Sequence, residues 1–176
     1  MSRDPVKIRE ASLVDIPATF GIRTASRENA MTEEALRESG ITPESVATLL
    51  QTSGKCWVAD ADDRLVGFCI ANCGSKSIWA LFILPAYEGR GIGRRLLEIA
   101  VDWLWQNGVE EIWLTTETKT RAEGFYEYLG WQRRQIEWND GYEEVRYTLR
   151  YEQLQSRSGA SLRRLNPNRG NSNAQL

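Results

Sequence analysis

Three glycines at alternate positions, Gly89, Gly91 and Gly93, constrain this chain more than any other feature. An apolar run at 78–84 and a proline, Pro85, precede them. An amphipathic pattern begins directly behind them, with Ile92, Leu96, Leu97, Ile99, Ala100, Trp103 and Leu104 recurring at helical spacing. The spacing predicts strand, glycine turn, helix. The first turn of such a helix has N–H groups without partners, and the helix dipole adds partial positive charge there. Glycines let an anion approach those groups closely, so a site for phosphate or pyrophosphate is expected.

Other segments supply the frame. Residues 6–10 alternate apolar and charged, a half-buried strand. Ser12 and Asp15 form a capping-box pattern that opens a helix to about 26. The polar stretch 27–41, with Glu28, Glu33, Glu34 and Glu38, reads as an irregular substrate-side loop. Thr42-Pro43 then starts a short helix, 43–51. Runs at 55–60 and 65–72 form a hairpin with a four-residue connection, followed by the strand before the glycines. The helix after the glycines stops at Asn107-Gly108, and 111–116 is the next strand, reached through a helix and hence parallel to its predecessor. A helix at 121–129 and a hairpin turning on Asn139-Asp140-Gly141 complete the order. This is an α+β fold: a mixed, mostly antiparallel sheet with a central parallel pair, flanked by about four helices. One domain is expected over 1–152, followed by a polar, disordered tail over 153–176.

Residue usage excludes several functions. The chain has no histidine, which removes Ser-His-Asp and Cys-His nucleophile systems and the usual zinc sites, so no metal is expected. Any general base is then a carboxylate, a tyrosine, a lysine or a water. Cys56, Cys69 and Cys73 read as reduced structural thiols. A net charge of −2 gives no global attraction for nucleic acid, and the sparse arginines Arg157, Arg163, Arg164 and Arg169 read as a solvated tail. No run is long and apolar enough for a membrane span, and residues 1–10 lack a signal-peptide core, so a cytoplasmic protein without a membrane partner is expected.

Glycine spacing separates the phosphate loops. A Walker A loop needs Lys-Ser/Thr where Arg94-Arg95 stand, and a dinucleotide fingerprint needs G-x-G-x-x-G after the first strand of a βαβ unit. The stretch LFILPAYEGRGIGRRLL instead resembles the coenzyme-A-binding motif of the GNAT superfamily of N-acetyltransferases, with Glu88 where that family carries Arg or Gln. Residues 121–131, RAEGFYEYLGW, resemble its second motif, A-x-x-F-Y-x-x-x-G-F/W, with Lys119 where Asn is frequent.

The resemblance covers about 6–149 and implies acetyl-coenzyme A as donor and a small-molecule or peptide amine as acceptor. It implies a pantetheine arm along the backbone of Leu81, Phe82 and Ile83. It also implies a pyrophosphate on the N–H groups of Arg90, Gly91, Ile92, Gly93, Arg94 and Arg95, with Arg90, Arg94 and Arg95 as candidate charge partners. Tyr126 takes the place of the family's acid for the leaving thiolate. Glu117, at the end of a strand near the reaction centre, and Glu28, in the segment that lines the family's acceptor pocket, are the candidate bases. Trp79 and Trp138 are candidates for the pocket border. No cysteine lies in either motif, so direct attack in a ternary complex is expected rather than an acetyl-enzyme. A coenzyme-binding or regulatory module with weak or no turnover is the alternative, and a homodimer through exposed terminal strands is compatible with the fold.

Overall fold

The computed structural model describes residues 5–152 apart from 29, 30, 62 and 140, and the expected tail at 153–176 lies outside the described residues. In chain order the elements are β1 (Lys7–Glu10), α1 (Ile16–Thr24), α2 (Glu33–Glu38), α3 (Pro43–Thr52), β2 (Gly54–Ala61), β3 (Arg64–Asn72), β4 (Ser77–Ile83), α4 (Ile92–Gln106), β5 (Glu111–Glu117), α5 (Arg121–Tyr128), β6 (Gln132–Asn139) and β7 (Tyr142–Arg150). The strands form one sheet in the order β1-β2-β3-β4-β5-β7-β6. Among the described strands only β4 and β5 run parallel; their connection passes through α4, as such a pairing requires. None of the described helices is long and apolar enough to cross a membrane.

Both faces of the sheet are covered, which explains the near-continuous apolar runs of β2 and β3. Cys56, Val58, Phe68 and Ile70 join Ile16, Ile22 and Val46 under α1 and α3. Trp57, Ala59, Cys69 and Ala71 join Leu96, Leu97, Ala100 and Leu104 of α4 on the other face. The period of two along the strands thus feeds two cores. Ile99, expected on the apolar stripe of α4, instead sits on its open side at 37% exposure, while Val101 is buried. Trp103 packs edge-on against Trp57, with ring centroids 5.7 Å apart.

α1 is anchored by charge. The Asp15 carboxylate accepts from the Ser12 amide at 2.8 Å and the Ser12 hydroxyl at 3.0 Å. Arg9 grips the same carboxylate with both terminal nitrogens, at 2.8 and 3.0 Å, and donates from Nε to Asp60. That guanidinium, with the Ser12 donors, holds the Asp15 carboxyl well below the usual carboxylate range against the opposing effect of burial. A short 3₁₀ turn therefore precedes the helix proper.

Two local differences from the sequence reading have simple causes. α2 occupies part of the expected loop; its six residues, EEALRE, are too few to show a helical period. Thr32 caps it by accepting from the Ala35 amide, and Leu36 pins it to the core at 1% exposure. The β2–β3 turn has two residues rather than four, because pairing extends to Ala61 opposite Arg64.

Candidate active site

The centre of the site is a gap in the sheet. β4 and β5 share one register pair, Ser77 with Trp113, where the Trp113 amide donates to the Lys76 carbonyl at 3.1 Å. Across β4's other edge, Ile70 pairs with Ala80 but Ala71 pairs with Ile78. Trp79 is therefore the extra residue of a β-bulge, and a bulge bends its strand. Beyond it the parallel strands diverge, and from Trp79 to Ile83 the β4 edge that faces β5 carries no ladder bonds.

Two cavities meet at this splay. The turn-side cavity, about 440 Å³, is lined by Leu81, Phe82 and Ile83, by the glycine turn with the start of α4, and by Phe125 and Tyr126 of α5. The hairpin-side cavity, about 320 Å³, is walled by Phe20 and Arg23 of α1, Leu36 of α2, Trp79 of β4, Thr115 of β5 and Glu144 of β7. Leu81, Phe82, Ala122 and Tyr126 line both.

Local geometry in the turn-side cavity fits an anion. Gly91 caps α4 in the left-handed region, φ +75°, and its carbonyl accepts the first helical bond from the Arg95 amide at 3.1 Å. A Cβ there would meet nothing within 4 Å, so conformation rather than crowding calls for glycine. The N–H groups of Ile92, Gly93 and Arg94 then open toward the cavity as the unpaired first turn of the helix.

The three arginines expected there diverge. Arg94 lines the cavity and pairs with Glu98 at 2.7 Å, which raises its pKa further. Arg90 folds back, donating to the Ala86 carbonyl at 2.8 Å with its guanidinium 4.7 Å from the Tyr87 ring centroid. Arg95 turns away and donates to the Val6 carbonyl. Two other cations, Arg27 and Arg121, line the cavity instead.

Glu28, expected beside the acceptor, lies on the turn side. It accepts from the Arg121 amide and from Arg121 Nε, both at 3.1 Å. Arg121 Nη2 also donates to Glu88 at 2.8 Å, and these two carboxylates, Glu88 foremost, raise the Arg121 pKa. Glu28, Arg121 and Glu88 thus tie the segment after α1, the start of α5 and the glycine turn together at the mouth of this cavity.

Tyr126 stands between the cavities at 7% exposure. Its ring is held edge-on by Phe125 and Trp131, at centroid distances of 5.2 and 5.8 Å, and tilted against Tyr147 at 5.9 Å. Burial, with a smaller contribution from Cys69, pushes its phenol pKa well above the usual value, so the proton stays on at neutral pH. Glu123 and Glu127 of α5 accept hydrogen bonds from Tyr147, at 3.2 and 2.9 Å, and fasten the helix that carries Tyr126 to the sheet.

Among the described residues, the carboxylate lining the hairpin-side cavity is Glu144, opposite Glu117 in the β5–β7 register. Glu117 lines neither cavity. Trp79 borders this cavity, whereas Trp138 is 76% exposed on β6 and does not. Arg23 is the cavity's cation: its guanidinium sits 4.0 Å from the Phe82 ring centroid, and Nη2 contacts Met31 Sδ at 3.3 Å. Burial lowers its pKa to about 10, against a partly compensating pull from Glu144. Neither residue stood out in the sequence. Glu144 reads as one charged position of an alternating strand, and Arg23 as the polar face of α1.

Comparison with known proteins agrees with this geometry. The family model described as the acetyltransferase (GNAT) family matches residues 22–131. The ribosomal protein bS18-alanine N-acetyltransferase of Haemophilus influenzae is 26% identical over 111 residues, 60% of this chain and 76% of that protein. Its Salmonella typhimurium counterpart is 33% identical over 82 residues, 45% of this chain and 55% of that protein. Among solved structures, the PaiA N-acetyltransferase of Thermoplasma acidophilum in complex with coenzyme A superposes with TM-score 0.68 at 20% identity, covering 84% of this chain and all (100%) of that one. The Escherichia coli ribosomal-protein-S18-alanine N-acetyltransferase superposes with TM-score 0.66 at 21% identity, covering 83% and 94%.

Proposed function

The chain belongs to the acetyltransferase (GNAT) family, and on that premise we propose that it transfers the acetyl group of acetyl-coenzyme A to a primary amine by direct attack in a ternary complex. The observation that carries this reading is the pair of cavities meeting at the splay over Leu81, Phe82, Ala122 and Tyr126. Donor and acceptor entering from opposite sides reach each other there without a covalent relay. Among the described residues no cysteine lines either cavity, so no thiol is placed to carry the acetyl group.

The residues present fit the coenzyme. Its pyrophosphate would rest on the first-turn N–H groups of α4, with Arg94, Arg121 and Arg27 adding charge. The open edge of β4 at Leu81, Phe82 and Ile83 would hydrogen-bond the pantetheine arm as an added strand does. The bound donor supplies a thioester carbonyl; the amine nitrogen forms the new C–N bond, the C–S bond breaks, and the sulfur leaves with the electron pair. A β4 N–H at the splay would stabilise charge growing on the carbonyl oxygen. Tyr126, protonated and without a hydrogen-bond partner for its hydroxyl among the described residues, would give its proton to the departing thiolate. Glu144, directly or through a water, would accept the proton that the amine loses.

Relatives named for acetylating a ribosomal-protein alanine support an amine acceptor. The test is thiol release from acetyl-coenzyme A across amino acids, polyamines and peptides with free N-termini. Amine-dependent release is expected; coenzyme A binding with no amine-dependent release would leave a binding module.

A further inference from the structure

We propose that the acceptor is a small amine that also carries a carboxylate, an amino acid or a close analogue, and that Arg23 holds this carboxylate. The proposal deepens the acetyltransferase reading and rests on it.

Among the described residues, Arg23 differs both from the exposed arginines and from the half-buried Arg146, which pairs with Glu137 at 2.8 Å. Arg9 and Arg121 are exposed and each has carboxylate partners, at 2.8 Å or more. Arg23 is half-buried in a cavity wall, and among the described residues no carboxylate lies within ion-pair distance of it. Among the described residues, its guanidinium contacts the face of Phe82 and the thioether of Met31. A guanidinium has five N–H donors, and a thioether is a weak acceptor for one of them. A partly buried cation with most of its donors unfilled is costly unless something completes it. The lowered pKa reports the same cost.

Among the described residues, the charges lining this cavity are one of each sign, Arg23 and Glu144. A polyamine would find one acid and a repelling guanidinium. A lysine side chain or peptide N-terminus brings no anion of its own to Arg23. A zwitterion satisfies both, its carboxylate against the planar fork of Arg23 and its ammonium toward Glu144. The anchor is also in the right place, because Phe82, on which the guanidinium rests, lines the donor cavity as well. About 320 Å³ suits a molecule of this size.

The experiment follows thiol release by the full chain with the twenty amino acids, their amides, spermidine and a peptide beginning with alanine. At least one amino acid should exceed its own amide in kcat/KM by on the order of 10- to 100-fold, the usual effect of a charge-assisted hydrogen bond. Arg23→Gln should lower the acid and spare the amide, bringing the ratio near one. Arg23→Lys should restore part of it, and melting curves of both variants confirm folding. An amide as good as its acid, a preference for spermidine or the peptide, or an equal loss on acid and amide in Arg23→Gln would overturn the proposal. Should no amine release thiol, the acetyltransferase reading itself fails. Calorimetry of the same amino acids with the coenzyme-A-loaded chain then decides: Arg23-dependent binding upholds the carboxylate site, and no binding ends it.

Discussion

The two cavities that meet at Tyr126 are built by different means. The turn-side cavity relies on backbone: the left-handed Gly91, the first-turn N–H groups of α4 and the unladdered edge of β4. Its N–H groups depend little on side-chain identity, so Glu88 leaves them in place. The hairpin-side cavity relies on side chains brought together from α1, α2, β4, β5 and β7. A backbone-built site needs one short contiguous motif. A side-chain-built site needs the whole fold, and a single substitution there changes what it selects.

The shared residue gives the largest expected effect. Tyr126→Phe should lower kcat by about 100-fold or more, the ordinary contribution of a positioned acid, with the KM for acetyl-coenzyme A little changed. Burial raises the phenol pKa, so the acid form persists upward in pH. Between pH 7 and about 10, the ordinary tyrosine value, the wild-type rate should not fall on account of Tyr126. An unchanged kcat in the variant across that range would remove Tyr126 as the acid and leave the two cavities without a common catalytic group.

The side-chain-built wall depends on the anchoring of α1. Asp15→Asn should cost about 2 kcal/mol at pH 7, because it strips charge from hydrogen bonds to Arg9 and Ser12. The folded-state pKa of Asp15 is depressed, so its stabilisation is complete above the unfolded value of about 4 and is lost as pH falls below that. Denaturant melts of variant and wild type should therefore differ at neutral pH and converge in acid. The variant should also raise the acceptor KM, since α1 carries Arg23, while coenzyme affinity stays put. A parallel loss of coenzyme affinity would mean that the two cavities are not independent.

On the other side, Gly91→Ala should weaken coenzyme binding by roughly 10-fold, the equivalent of the 1–2 kcal/mol that a side chain costs in the left-handed region. Acceptor KM should be unaffected. Direct titration with coenzyme A measures the first and steady-state kinetics the second.

The same division decided what could be read from sequence. The strands, the parallel pair and the glycine turn follow from residue periods and spacing that are local. Glu28 reads from sequence as an acceptor-side residue because nothing local encodes which cavity it borders; its pairing with Arg121, 93 positions away, sets it at the turn-side cavity. Nothing local distinguishes Glu144 and Arg23 from ordinary surface charges, since the splay of β4 from β5 is what gives them a cavity to face. α2, at six residues, is too short to carry a helical period in sequence.

Glu88→Gln tests whether the backbone-built cavity is as indifferent to side chains as it looks. It removes one negative charge from the mouth of an anion site and loosens one tie on Arg121. Coenzyme affinity should rise several-fold at low salt, with the gain shrinking as salt screens it. Stability should be little changed, because Arg121 is exposed and solvent screens the pair. Unchanged affinity at low salt would show that Glu88 is already neutralised by Arg121 when coenzyme binds.

The smallest effect is expected at Lys119, where backbone and side chain can be separated within one residue. Lys119 sits at φ +62°, a left-handed conformation that asparagine adopts more readily than lysine. Its amide donates to Glu123 Oε1 at 2.6 Å, and Glu123 in turn accepts from Tyr147, so the turn is held by the groups that fasten α5. The backbone bond survives substitution, so Lys119→Asn should stabilise the fold by a few tenths to about 1 kcal/mol through relief of strain. Turnover should stay the same, because the lysine side chain lines neither cavity. A fall in coenzyme affinity would instead show that Lys119 acts through its charge. The backbone-built side of the site would then have a side-chain component after all.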